Sequence, residues 1–104
     1  MKTASEQGAE VLAKLDEVID PELGLGIVAL GLVYHIRINE DDSVRIIMTL
    51  TVPGCPMHET ITADVRRTIG AIPWVKDVDV VVTFDPPWTP ERLTPAARAA
   101  LGKR

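Results

Sequence analysis

The order in which apolar patterns change along the middle of this chain constrains the fold more than any other feature of the sequence. Apolar residues alternate with others at 32–38 and again at 44–50, and a polar turn at 39–43 separates the two runs. Alternation is typical of strands with one buried face, and so short a connection predicts an antiparallel hairpin. The apolar spacing is helical at 56–72 and alternates once more at 75–84. We therefore predict a βαβ unit in which the second and third strands are parallel and their connection is right-handed.

The same patterns predict which side chains face the core. The even-numbered apolar residues of each strand share one face, and at 78–84 that face lies against the helices. In the first strand these residues are Leu32, Tyr34, Ile36 and Ile38. The core stripe of the central helix consists of Met57, Ile61, Val65, Ile69 and Ile72. On the other face of the sheet, Val33, Ile47 and Val81 are apolar enough to need a cover, which either a second copy or the C-terminal segment would provide.

Helical patterns flank this unit on both sides. Residues 3–19 have amphipathic spacing with a capping box at the start, and Asp20-Pro21-Glu22 ends the helix because proline disfavours helical geometry in the residue before it. Thr94-Pro95 begins a short final helix. With 104 residues and 46% apolar content, the chain fits a single domain over residues 1–104. We predict an α/β fold of the α+β kind, with the order α-β-β-α-β-α and a three-stranded mixed sheet whose helices pack mainly on one face.

Charge and cysteine content argue against several classes of function. The net charge is −4, so the chain has no basic surface for nucleic acid or for anionic lipid. Its single cysteine cannot form an internal disulfide, the first six residues lack a signal-peptide core, and no apolar run is long enough to span a bilayer. We therefore expect a cytoplasmic protein with neither nucleic acid nor membrane as a partner.

The single cysteine, Cys55, lies in Thr51-Val52-Pro53-Gly54-Cys55-Pro56, where the alternating run gives way to the helical one. Pro56 suits the first position of a helix, which makes Cys55 the predicted N-cap. Unpaired backbone N–H groups and the positive end of the helix dipole favour a thiolate there, the form that attacks electrophiles and binds metals. The alternative is that Cys55 is a small apolar residue packed in the core.

The predicted topology brings three loops to one edge of the sheet. The carboxyl ends of the two parallel strands lie at the same edge, so residues 51–55 and 85–88 meet there. The first strand is antiparallel and starts at that edge, so the loop of residues 20–31 must pass it too. Ligand sites in open α/β sheets prefer this location. The predicted site is Cys55 with seven supporting residues, namely Asp20, Glu22, Thr51, Gly54, His58, Asp85 and Trp88.

Five strings in the sequence also resemble one known family. They are Asp20-Pro21-Glu22, Leu30-Gly31-Leu32-Val33-Tyr34, the Thr-x-Pro-Gly-Cys-Pro run at 51–56, Asp85-Pro86-Pro87-Trp88 and Ala97-Arg98-Ala99-Ala100-Leu101-Gly102. In this order and spacing they are similar to the iron–sulfur assembly family of SufT and PaaD, whose domain also occurs fused to Mrp-type P-loop ATPases. The resemblance covers nearly the whole chain. It implies a small, non-enzymatic α/β domain that acts in the maturation or delivery of iron–sulfur clusters, with Cys55 as the functional thiol.

The resemblance also implies a cofactor and partners. Thiolate is a soft ligand suited to iron–sulfur clusters, whereas Asp20, Glu22 and Asp85 are hard oxygen donors. A cluster needs several thiolates, so a transiently bound cluster would bridge two chains or take ligands from a client or a small thiol. We expect a homodimer that works with scaffold and client apoproteins. The sequence has no Gly-x-x-x-x-Gly-Lys-Ser/Thr run, so any nucleotide step belongs to a separate P-loop ATPase.

Other interpretations of these residues stay open. In a thiol enzyme, Cys55 would be the nucleophile and His58 or Asp85 the base, although there is no second cysteine for redox exchange. A PaaD-like accessory protein of an aromatic-degradation oxygenase would carry further cysteines in a C-terminal extension. Asp20 and Asp85 would serve equally well as loop caps beside proline, and Trp88 as a packing lid. The chain could also be an adaptor whose cysteine is structural.

Overall fold

The computed structural model describes residues 3–21, 23–51 and 58–102. Within these ranges the elements, in chain order, are α1 (Ala4–Leu15), β1 (Ile19–Asp20), β2 (Leu25–Gly26), β3 (Val33–Ile38), β4 (Ser43–Met48), α2 (His58–Gly70), β5 (Asp77–Val82), a 3-10 helix (Pro90–Arg92) and α3 (Pro95–Gly102). The α-β-β-α-β-α order is confirmed. The short antiparallel pair β1–β2 and the 3-10 helix are additions that the sequence patterns did not predict.

The main sheet contains β3, β4 and β5, in that order. β3 runs antiparallel to β4, and β5 runs parallel to it, so the sheet is mixed as predicted. At its centre, Ile46 lies opposite Ile36 on one side and Val80 on the other. α2 connects the two parallel strands in sequence. The predicted hairpin, crossover helix and third strand are therefore confirmed.

A β-bulge at the start of β3 corrects the prediction for two residues. Val33 lies opposite Met48 while His35 lies opposite Ile47, so Tyr34 is an extra residue on β3. Directly opposed residues share a face, and Met48 is fully buried. Val33 therefore packs against the core and not on the outer face, and Tyr34 is not a core residue. The predicted alternation fails here because a period of two holds only where the ladder is regular.

The first helix ends at Leu15, earlier than the predicted residue 19. Its N-terminal capping box is present, with the Thr3 side chain accepting a hydrogen bond from the Glu6 N–H at 3.2 Å. Beyond Leu15 the chain turns to form β1 and β2. A Cβ placed on Gly26 would come within 2.9 Å of the Asp16 carbonyl oxygen, so β2 packs directly against the end of α1. The helix therefore ends before it reaches Pro21, at the point where this short hairpin packs against it.

The core lies between the helices and one face of the sheet. α1 contributes Val11 and Leu15, and α2 contributes a stripe that matches the prediction over its described part, namely Ile61, Val65, Ile69 and the following Ile72. The Trp74 indole N–H donates to Glu10 Oε1 at 2.8 Å, which ties the end of the α2 crossover to α1. In the residues that the structure describes, no helix is long and apolar enough to cross a membrane.

The other face of the sheet is mixed in character. Arg45 on β4 and Asp79 on β5 form an ion pair across it, with 2.9 Å between Nε and Oδ2. Ile47 is half-buried, and Val81 is 37% exposed. The described part of the chain therefore leaves Val81 without a full cover.

Candidate functional site

The edge of the sheet where the site was predicted is formed by the ends of three strands. The Thr83 N–H donates to the Met48 carbonyl at 2.9 Å, which extends the parallel pairing beyond β5. The Thr49 N–H donates to the Leu32 carbonyl at 2.8 Å, which places the end of β4 beside the start of β3. The carboxyl ends of the parallel strands and the amino end of β3 therefore lie side by side, as the topology predicted.

The chain leaves β4 through a buried stretch before it reaches the cysteine segment. Thr49 is 0% exposed and Leu50 is 2% exposed, and Thr51 is half-buried. The next described residue is His58, where α2 begins. Gly54 and Cys55 lie outside the described residues, as does Pro56, so the N-cap position of Cys55 and its thiolate character stay predictions.

Asp20 is a buried loop cap in this structure. It is 3% exposed, and its Oδ1 accepts a hydrogen bond from the Leu23 N–H at 3.1 Å. Its backbone carbonyl accepts another from the Gly24 N–H at 2.8 Å, and Gly24 has a φ of 71°. Asp20 therefore acts as a loop cap beside proline, the alternative that the sequence left open for it. The neighbouring Glu22 lies outside the described residues.

Asp85 follows β5 at the exposed end of the sheet. Its N–H donates to Thr83 Oγ1 at 3.2 Å, and its peptide bond to Pro86 is cis. The Pro86 carbonyl then accepts a hydrogen bond from the Tyr34 hydroxyl at 2.7 Å. This bond joins the segment after β5 to the bulge of β3, on the far side of the central strand.

Trp88 fastens the same segment to the loop before β3. Its indole N–H donates to the Leu30 carbonyl at 2.6 Å, and its ring is half-buried against the core. Farther along, the Thr94 N–H donates to the Ala29 carbonyl at 3.0 Å. We call residues 85–94 the C-terminal strap, because they cross the edge of the sheet and bind the 29–34 segment along their length. The predicted packing role of Trp88 is thus the one that the structure displays.

The sequence did not predict that Arg92 and Gly31 hold the strap in place. The Arg92 guanidinium carbon lies 4.6 Å from the centre of the Tyr34 ring, a cation–π contact. Beneath it, Gly31 has a φ of +74°, and a Cβ built there would overlap the Arg92 carbonyl oxygen. A glycine just before alternating apolar residues indicates that another part of the backbone comes close to it. The sequence does not indicate that this part is Arg92.

The described residues alone do not form a metal site. Among them, no group of three His, Cys, Asp or Glu side chains is arranged to hold a metal ion. Hydrogen bonds perturb the pKa of a carboxyl at the opposite end of the sheet, in the β3–β4 turn. There the Ser43 hydroxyl and N–H, which donate to Asp41 Oδ1 at 2.6 and 3.1 Å, lower the pKa of that carboxyl from its ordinary value.

The fold and this edge define a class of small α+β domains in which loops gather at the carboxyl ends of a parallel strand pair. Comparison with known proteins then gives the family. The chain belongs to the iron–sulfur cluster assembly protein family, whose model matches residues 8–82. The resemblance stated from the five sequence strings is therefore confirmed.

Individual relatives agree with this membership. The Fe-S protein maturation auxiliary factor YitW of Bacillus subtilis is 42% identical over 92 residues, which is 88% of this chain and 90% of that protein. The Fe-S protein maturation auxiliary factor SufT of Staphylococcus aureus is 42% identical over 85 residues, which is 82% of this chain and 97% of that protein. Both relatives are named as auxiliary factors of Fe-S protein maturation, which agrees with the non-enzymatic role that the resemblance implied.

A solved structure shares the whole fold. The crystal structure of a domain of unknown function, DUF59, from Bacillus anthracis superposes with a TM-score of 0.92 at 42% identity. The match covers 96% of this chain and 95% of that one. The strap and the final helix are thus part of an architecture that extends past residue 82, where the family model ends.

Proposed function

We propose that this chain assists the maturation of iron–sulfur proteins by holding a cluster, or its iron, on the Cys55 thiolate while a client protein is loaded. The observation that carries the proposal is family membership over residues 8–82, a range that includes Cys55. The described flanks of the cysteine segment support it. Thr51 follows the strand end at the loop edge and His58 begins α2, so the chain between them joins the carboxyl end of a parallel strand to the start of its crossover helix.

The chemistry of the ligands favours a transient role. Thiolate suits iron–sulfur clusters, and the chain supplies a single cysteine. The remaining ligands must come from a second chain, a client or a small thiol, so the cluster can leave by ligand exchange. A cytoplasmic setting, where thiols stay reduced, fits this use of a lone cysteine.

The other predicted site residues have supporting roles in this proposal. Asp20 and Trp88 fix the loop before β3, the one by capping and the other by its bond to Leu30. Asp85 begins the strap. Glu22, Thr51, Gly54 and His58 remain proposed members of the site around Cys55. Scaffold and client apoproteins are the partners, and a nucleotide-dependent step would belong to a separate P-loop ATPase.

Anaerobic reconstitution with iron and sulfide tests the assignment of Cys55. The wild type is compared with Cys55→Ser and with Asp85→Asn, which changes a carboxylate of the edge but no thiol. We expect visible absorption and Mössbauer signals of a cluster in the wild type and in Asp85→Asn, and their loss in Cys55→Ser. Transfer is measured as the gain of cluster signal by an apo-ferredoxin.

Two outcomes would overturn the proposal. A cluster spectrum unchanged by Cys55→Ser would remove Cys55 as the ligand. Absence of any cluster in the wild type, together with rapid alkylation of Cys55 at neutral pH, would favour the thiol-enzyme interpretation.

A further inference from the structure

The outer face of the main sheet carries two arginines directly opposite each other. In the antiparallel pairing of β3 with β4, Arg37 lies opposite Arg45, and directly opposed residues of neighbouring strands share a face. Both arginines are exposed. Because like charges in this arrangement destabilise a sheet, the pair lowers the stability of the fold at a position where a neutral or acidic residue would not.

Within the described part of the chain, the charge of Arg45 is compensated and that of Arg37 is not. Arg45 Nε lies 2.9 Å from Oδ2 of Asp79, its neighbour in the parallel pairing with β5. No carboxylate among the described residues forms an ion pair with Arg37. A carboxylate from another molecule could therefore bind Arg37, and it would also relieve the repulsion between the two guanidinium groups.

An apolar row lies beside the arginine pair on the same face. Two positions farther along β4, Ile47 lies opposite His35 of β3 and beside Val81 of β5. Ile47 is half-buried and Val81 is 37% exposed. The two rows are about 7 Å apart, because a strand rises about 3.4 Å per residue. The buried core lies on the opposite face of the sheet, so both rows face outward.

The unfavourable placement of Arg37 favours a role in binding. Natural proteins break rules of stability at functional sites, and this chain does so with a cation although its net charge is −4. A guanidinium group binds a carboxylate through two parallel hydrogen bonds. In an extended peptide, side chains two positions apart lie on one face about 7 Å from each other. That distance matches the spacing between the arginine row and the apolar row.

We propose that the outer face of the sheet binds an acidic, extended segment of a partner protein. One carboxylate of the segment binds Arg37 beside Arg45, and an apolar side chain two positions away packs on Ile47 and Val81. The recognised pattern is a glutamate or aspartate separated by one residue from an apolar residue. The identity of the partner as a client or scaffold in cluster delivery rests on the proposed function, whereas the contact itself does not.

The same face argues against a long polyanion as the occupant. Asp77 and Asp79 of β5 are exposed and border the arginine pair, so a nucleic acid that crosses the sheet would meet two carboxylates. A phosphate group also has no apolar part to pack on Ile47 and Val81. A short protein segment with one carboxylate and one apolar side chain fits both rows.

An NMR titration with a synthetic peptide tests this binding. The peptide is blocked at both ends, and serine alternates in it with glutamate and valine in turn. We expect shifts of the Arg37, Arg45 and Ile47 amides, and a dissociation constant about tenfold higher for Arg37→Gln. A peptide with glutamine in place of glutamate should also bind about tenfold more weakly. Arg66→Gln removes the same charge from exposed α2 and should leave the constant unchanged.

Urea unfolding separates a binding role of Arg37 from a structural one. Relief of the like-charge pair should raise the urea midpoint of Arg37→Gln. A residue that serves stability would lower the midpoint when it is replaced. The expected combination for Arg37→Gln is therefore a gain of stability together with a loss of peptide binding, and Arg66→Gln should show neither.

The proposal fails on any of three results. These are equal binding of the glutamate and glutamine peptides, an effect of Arg66→Gln as large as that of Arg37→Gln, or a lower urea midpoint for Arg37→Gln. Tighter binding of tripolyphosphate than of the peptide at the same amides would show a phosphate site instead, and concentration-dependent shifts without peptide would show a second copy as the occupant. Cys55→Ser should leave peptide binding unchanged, so these results are independent of the Cys55 assignment.

Discussion

Gly31 is the position where one added methyl group should disturb the most structure. Its φ of +74° lies in the left-handed region, and the Arg92 carbonyl oxygen occupies the space that a Cβ would need. Backbone atoms cannot swing aside as a flexible side chain can. Gly31→Ala must therefore either displace the C-terminal strap or change the backbone before β3.

The cost follows from the contacts at stake. An alanine in the left-handed region costs about 1–2 kcal/mol. If the strap lifts, it loses the bonds from Trp88 to Leu30, from Tyr34 to Pro86 and from Thr94 to Ala29, at about 1 kcal/mol each. We expect Gly31→Ala to lower the free energy of unfolding by roughly 2–5 kcal/mol, a large part of the roughly 5–15 kcal/mol typical of a domain.

Urea unfolding followed by circular dichroism measures this change, and Gly8→Ala provides a matched control. Gly8 lies inside α1, and a Cβ there meets nothing within 4 Å. Alanine should stabilise that helix by about 1 kcal/mol. The same substitution is thus expected to act in opposite directions at the two glycines.

A free energy of unfolding for Gly31→Ala within about 0.5 kcal/mol of the wild type would refute this reasoning. So would an unchanged NMR shift of the Trp88 indole proton in a destabilised variant. The first result would mean that the strap does not pack closely on Gly31. The second would mean that the loss of stability arises elsewhere.

Two further predictions concern single hydrogen bonds. Tyr34→Phe removes the donor to the Pro86 carbonyl and keeps the ring, so it should cost about 1 kcal/mol in urea unfolding; no change would show that water replaces the bond. Asp41 should titrate by NMR below its ordinary pKa, and Ser43→Ala should raise that pKa because the hydroxyl donor is lost. Because the folded pKa is the lower one, this carboxylate stabilises the fold above its unfolded pKa, and the contribution is lost as pH falls through the folded value; a pKa unaffected by Ser43→Ala would exclude the hydroxyl as its cause.

Local patterns in the sequence predicted the elements but not all of their ends. The hairpin, α2 and β5 were predictable because each buries a face with its own period, as Ile46, Val65 and Val80 illustrate. The end of α1 was not, because it depends on the approach of Gly26 to Asp16. The displacement of Val33 was not either, because a bulge depends on the partner strand and leaves no mark in the alternation.

The candidate site was predictable as a location more than as a set of contacts. Topology alone brought the strand ends to one edge, and the bonds of Thr83 and Thr49 confirm that placement. The contacts of Tyr34 and Trp88 join residues 52 and 58 positions apart in sequence, which no local pattern can specify. The role of Cys55 stays a prediction that chemistry and family membership support.

The two tryptophans of this chain are natural reporters for two different junctions. The Trp74 indole bonds to Glu10 and senses the docking of α1, whereas the Trp88 indole bonds to Leu30 and senses the strap. Fluorescence from Trp74→Phe would therefore follow release of the strap alone, and fluorescence from Trp88→Phe would follow separation of the helices. Noncoincident traces in the same denaturant series would reveal a partly open state in which the core persists while the loop edge is uncovered.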